Sequence, residues 1–117
     1  MIMMKRTGSI LGLALMFAAS SALSHGEKRP GIKIKTQQLS DGLYVLFGQG
    51  GNIGLSVGDD GVYIIDDQYA PLTEKINRAI DDITDQPVKF VINTHWHGDH
   101  TGGNENFGKA GATIVAH

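Results

Sequence analysis

The 117-residue sequence contains no cysteine. That absence excludes disulfide frameworks, thiolate zinc fingers, iron–sulfur clusters and cysteine nucleophiles, so any metal must sit on imidazoles and carboxylates. Proline is scarce at 3 residues and charged residues make up 19%, too few of either for a disordered chain. An excess of one charge is lacking too. The 10 Lys and Arg against 12 Asp and Glu give a net charge of −2, without the basic footprint that a nucleic-acid backbone attracts. No nucleic-acid partner is expected. At this length one domain is expected. What is plentiful is glycine, at 16 residues, clustered beside short apolar runs as in strands joined by tight turns.

The amino-terminal stretch reads as an address. Lys5 and Arg6 precede an uncharged apolar run from Ile10 to Ala19, and small residues follow from Ser20 to Ser24. This is the layout of a secretory signal peptide over residues 1–24, cleaved near Ser24 with Ala22 at the minus-three position. The apolar run is well short of the ~20 residues that a membrane span requires. A lipid anchor would need a cysteine at the cleavage point. Removing Lys5 and Arg6 leaves 8 basic against 12 acidic residues, a charge of −4. A periplasmic or secreted protein without a membrane anchor is expected. Residues 25–31, which include His25 and Pro30, read as a polar exposed leader, and the folded domain is expected over residues 32–117.

Four short segments follow, Ile32 to Leu39, Leu43 to Phe47, Asn52 to Val57 and Val62 to Asp66, each bounded by Gly, Asp or Asn. They read as consecutive antiparallel strands, with Asp60-Gly61 supplying the positive-φ chemistry of a tight hairpin between the last two. The run Gly48, Gln49, Gly50, Gly51, Asn52 reads as a plain turn. Ile53 stands where a dinucleotide-binding loop has its third glycine, and a strand follows instead of a helix. From Pro71, the residues Leu72, Ile76, Ala79, Ile80 and Ile83 fall at helical spacing, predicting an amphipathic helix that stops near Asp85 ahead of Pro87. Val88, Phe90, Val91 and Ile92 read as a buried strand. A short helix within Gly102 to Lys109 and a strand from Ala112 to Ala116 complete an α/β (α+β) pattern, a mixed sheet with helices on one face.

The buried strand runs into Asn93, Thr94, His95, Trp96, His97, Gly98, Asp99 and His100. Carboxyl ends of strands are where α/β ligand sites gather. His95 and His97 are two apart and project to one side of an extended chain, and Gly98 is read as a sharp turn returning Asp99 and His100 to the same place. Imidazoles with a carboxylate suit zinc, and four donors in six residues exceed one site's share, so two metal ions are inferred. A solvated loop rich in histidine accounts poorly for three His and an Asp directly after a buried strand. By strand alternation Trp96 is expected to pack inside. Asp66 and Asp67 end another apolar strand, where they serve either the turn or the support of a ligand histidine. His117, ending the last predicted strand, is positioned to permit a ligand role.

The run His95-Trp96-His97-Gly98-Asp99-His100 resembles the HxHxDH signature of the metallo-β-lactamase superfamily, as do Thr94 before it and Thr101-Gly102-Gly103-Asn104 after it. The resemblance implies the first half of an αββα sandwich, with His95 and His97 on a first zinc and Asp99 and His100 on a second. It further implies a hydrolase using a metal-bound hydroxide on an amide, ester or thioester bond of a small molecule, in which Asp99 also orients the nucleophile. A β-lactamase-like activity is placed first, with a glyoxalase II-type thioesterase or a lactonase beside it. Asp66 matches the acidic residue that buttresses the metal loop, and the adjoining Asp67 leaves that match open by one place. Family members draw further ligands from a second half, so the chain is expected to be the amino-terminal part of a longer protein. By itself it would be an incompetent metal-binding half-domain, or else a small metalloprotein completed by His117 or a partner chain.

Overall fold

The computed structural model describes residues 31–117, and the signal peptide expected over residues 1–24 and most of the expected leader lie outside the described residues. Six strands form one sheet in sequential order: β1 (Lys35–Ser40), β2 (Leu43–Phe47), β3 (Ile53–Gly58), β4 (Gly61–Ile65), β5 (Val88–Ile92) and β6 (Thr113–Val115). The first four are antiparallel meanders, whereas β5 lies parallel to β4 and β6 parallel to β5. The sheet is therefore mixed, as the alternation of strand and helix after residue 62 predicts.

The β3–β4 hairpin forms with Gly58 opposite Gly61, so its loop residues are Asp59 and Asp60. Gly61 carries the positive φ, at 130°, as the first residue of β4. The edge strand β1 starts later than expected. Ile32 and Ile34 pack on the core ahead of it, and all six of its residues are exposed, the polar character that discourages edge-to-edge pairing.

The parallel crossover from β4 to β5 runs through a 3-10 turn at Ala70–Leu72, opened by Pro71, and the helix α1 (Thr73–Asp81). Ile76 and Ile80 bury the apolar stripe of α1, and Ala79 and Ile83 pack at its margin. The last turn frays into bonds from Ile83 N and Thr84 N to Ile80 O, which ends the helix four residues before Asp85. Against the same sheet face lies α3 (Asn104–Lys109), whose Phe107 is 1% exposed. Leu46, Ile53, Leu55, Val62, Ile64 and Val91 complete this core. The opposite face carries Tyr63 stacked on Phe90 and the half-exposed row Ile65, Ile92 and Val115. Among the described residues no helix is long and apolar enough to cross a membrane.

Candidate metal centre

Because β4, β5 and β6 are parallel, their carboxyl ends share one edge of the sheet. Asp66 N donates to Ile92 O (2.9 Å) and Asn93 N to Val115 O (2.8 Å), which ties the three exits together. After Ile92 the chain leaves the strand. His97 stays extended (φ −63°, ψ 144°) and opens the single-turn helix α2 (Gly98–Thr101), so Asp99 and His100 return toward His95 on a helical turn. This corrects the role expected of Gly98. Its backbone is helical, and a Cβ there would meet open space, so nothing at this position requires glycine.

The three imidazoles gather. The rings of His95 and His97 lie 4.8 Å apart and those of His95 and His100 4.0 Å apart, while His100 Nε2 is 3.4 Å from Asp99 Oδ2. The donor atoms of Asp66, His95 and His100 fall within 4.8 Å of one another, and His97 and Asp99 flank that group. Trp96 is a correction: it is 83% exposed, edge-on to His97, because the strand alternation that would have turned it inward has ended at Ile92. It lines an open cavity of about 520 Å³ together with His95, Asn93, Asn104 and His117, which places His117 near the cluster's margin and outside the gathered donors.

The two acidic residues after β4 divide their work. Asp66 accepts from Thr94 N (2.8 Å) at Oδ1, and at Oδ2 from Thr94 Oγ1 (2.7 Å) and the His100 ring (2.7 Å). Burial alone would raise its pKa. The bonds from Thr94 and His100 outweigh that and hold the carboxyl below its ordinary value, so Asp66 is an anion that only accepts. Hence the network assigns protons. Thr94 spends its hydroxyl hydrogen on Asp66, so toward His95 Nδ1, 2.9 Å away, it can only accept, and Nδ1 of His95 carries the hydrogen. His100 likewise carries its hydrogen on Nδ1. In the neutral form of each ring the lone pair is then on Nε2, the form that binds a metal.

Asp67 faces the other way. It is fully buried, its Oδ1 accepts from Gly103 N (2.9 Å), its backbone N donates to His100 O, and its Oδ2 has no partner. Burial, reinforced by the charge of Asp66, outweighs the Gly103 bond and pushes its carboxyl up to about 6. Of the two, Asp66 therefore supports the His100 ring, and Asp67 fastens the backbone at His100 and Gly103.

Two features with no part in the site on sequence alone belong to it. Asn93 ties the strand exit to the helices, donating to His100 O (3.3 Å) and accepting from Asn104 Nδ2 (2.8 Å). The glycine run Gly48 to Gly51 lies against the cluster, where a Cβ on Gly51 would sit 2.3 Å from His100 Cε1.

Three imidazoles, one flanking carboxylate and two bare ring nitrogens at a strand-end edge fit a zinc ion by donor chemistry. Both oxygens of Asp66 accept hydrogen bonds from Thr94 and His100, which gives it the part of holding the neighbouring ring.

Mixed sheet, crossover helix and strand-end histidine cluster define an α+β domain of the kind that holds metal between strand exits. Residues 46–117 match the model of the metallo-beta-lactamase superfamily, and the chain belongs to that superfamily. Among solved structures it is similar to BJP-1, a subclass B3 metallo-beta-lactamase of Bradyrhizobium japonicum, with 29% identity and a TM-score of 0.64 over 72% of this chain and 33% of that one. It shares its fold with the class B3 di-zinc metallo-beta-lactamase LRA-12 from an Alaskan soil metagenome (20% identity, TM-score 0.64, 70% and 32% covered). A flavoprotein from Thermotoga maritima shares the fold too (21%, 0.61, 75% and 28%). The chain spans about a third of the length of the structures it matches.

Proposed function

We propose that the intact protein is a zinc-dependent hydrolase exported from the cytoplasm, and that His95, His97, Asp99 and His100 are this chain's share of its metal ligands. The observation that carries the reading is the hydrogen-bond chain through His95, Thr94, Asp66 and His100, which engages Nδ1 of two converging rings and so keeps their Nε2 for a cation. Zinc bound there supplies Lewis acidity and lowers the pKa of coordinated water to about 7.

The chain's own residues prepare the site. Asp66 and Thr94 hold the rings of His95 and His100 in one tautomer, and Asp67 and Asn93 fasten α2 beneath them. Asp99, beside His100 Nε2, contributes the negative charge that offsets a divalent ion and orients the attacking nucleophile. Exposed Trp96 offers an apolar platform at the mouth. The fold hosts more than one chemistry, so substrate class rests on the loops around this edge. Similarity to subclass B3 enzymes favours a cyclic amide such as a β-lactam. The stretch 1–24, with its basic start, short apolar run and small-residue flank, supports export.

The test is a metal assay and a substrate panel on the intact protein. Stoichiometric zinc, hydrolysis abolished by chelation and restored by zinc, and turnover of nitrocefin are expected. Hydrolysis indifferent to chelation would end the metal reading, and turnover of a thioester or acyl lactone alone would replace the lactam by that bond.

A further inference from the structure

Gln68 is fully buried, strained and unused by the site as described so far. Its backbone adopts φ 57°, in the left-handed region that side chains other than glycine, Asn and Asp rarely occupy. Such strain persists only where the surroundings over-determine it. Here they do. Gln68 Nε2 donates to Gly51 O (2.5 Å) and Gln68 Oε1 accepts from Gln49 N (3.2 Å), so one amide spans the glycine run from both ends. Its own carbonyl packs against Gly102 at the end of α2, where a Cβ would come within 2.7 Å of that oxygen.

The glycine run in turn presses on two proposed ligands. Gly51 lies flat on the His100 ring, leaving no room for a Cβ, and Gly50, at φ 87°, abuts Asp99 Cβ. The His100 ring is thus held between Asp66 at its Nδ1 edge and the backbone of Gly51 on its face. Resting on the metal reading above, we propose that Gln68 is a positioning residue. It latches the Gly48–Gly51 loop onto the His100 ring, fixing the direction of the free Nε2 beside Asp99. An aromatic ring with one edge hydrogen bond can still swing about that bond, whereas a ring with a flat wall on its face cannot.

The cost of losing the latch falls on the loop before it falls on the fold. Gln49 and Gly50 are exposed, so water can take over the freed groups once the loop lifts. Gln68→Met keeps the volume and removes both hydrogen bonds. Gly51→Ala attacks the same contact from the other side, and since Gly51 is outside the positive-φ set, space alone opposes the methyl.

Both variants are made in the intact protein, with urea midpoints as folding controls, and the His100 Cε1–H relaxation is read in the metal-free state. Increased ring mobility in both variants is expected, and wild-type mobility in either overturns the proposal. In the metal-loaded state, the zinc dissociation constant should rise about tenfold or more and the cobalt-substituted visible spectrum should change, as when a ligand's outer support is removed. Unchanged affinity and spectrum in both would also overturn it. A wild type that takes up no zinc while its variants free the ring would end the metal reading and leave the latch standing. Should Q68M fail to fold, G51A decides the matter alone.

Discussion

Asp66 is the point at which stability and metal binding can be pulled apart. Its carboxylate is 3% exposed and takes three hydrogens, from Thr94 N, Thr94 Oγ1 and His100 Nδ1, at 2.7 to 2.8 Å. Hydrogen bonds to a charged group are worth about 1.5–3 kcal/mol each, less where the freed donor can reach water. Thr94 is exposed and the His100 side chain is 19% accessible, so Asp66→Ala should lose about 2–4 kcal/mol, including strain from alanine at φ 64°. Asp66→Asn differs in kind. Asn tolerates the left-handed backbone, and its carbonyl can still accept from Thr94 N. Its amide then faces the two donors that met Oδ2. A backbone N–H cannot move its hydrogen, but an imidazole can, so His100 should shift its proton from Nδ1 to Nε2. The fold then loses only about 1 kcal/mol, while the metal loses a lone pair and about 10- to 100-fold in affinity. Urea unfolding, zinc competition titration and ring 15N shifts of the intact protein measure the three quantities. If D66N kept the Nδ1–H tautomer of His100 and bound zinc as tightly as wild type, the proton assignment at this site would be refuted.

Asp67 should give the metal-free protein an acid-side stability optimum. Its folded pKa of about 6 exceeds its ordinary 3.8, so its contribution is complete below pH 3.8 and about 3 kcal/mol is lost as pH rises through 6. Asp67→Asn should abolish that slope in urea midpoints taken from pH 4 to 7, and a slope that survives would place the titration elsewhere. Asp66, with a lowered pKa, acts oppositely: its stabilisation is present above its ordinary pKa and is lost as the pH falls below it, toward the folded value. Phe107→Ala should destabilise by about 3–5 kcal/mol, since it empties a site 1% exposed between α3 and the sheet, and a loss below 1 kcal/mol would contradict the packing. Trp96→Ala should change stability by less than about 0.5 kcal/mol while altering KM, whereas a large drop in the urea midpoint would restore the buried role.

Strands, hairpin and crossover helix were legible because each is written in a local pattern that tertiary contacts do not override. Leu72, Ile76 and Ile80 bury the face that the helical period assigns to them. The histidine cluster was legible because short spacing after a strand leaves few ways to arrange its members. Legibility failed where a periodicity was carried past its element. Trp96 was placed by strand alternation four residues after the strand had ended at Ile92, and Gly98 was given a turn that ordinary helical dihedrals supply. Which of Asp66 and Asp67 meets His100 depends on the left-handed φ at residue 66, and composition does not encode that sign.

The glycine loop is the more instructive miss, because its place follows from register. The β3–β4 hairpin closes with Gly58 opposite Gly61, and an antiparallel pair keeps its count, so Gly54 stands opposite Ile65. Carried outward past the last paired residues, the same count sets residue 51 opposite residue 68. That pair is joined, by the Gln68 side chain in place of a backbone ladder. An antiparallel neighbour begins where its partner ends, so the entry to β3 must share an edge with the exits of β4 and β5. On that edge the histidines converge, and a chain passing so near the His100 ring has room for Gly51 and no larger residue. The spacing of a tight hairpin thus dictates which distant loop walls the histidine cluster, and a glycine run feeding such a strand belongs to the site at the far end of its hairpin.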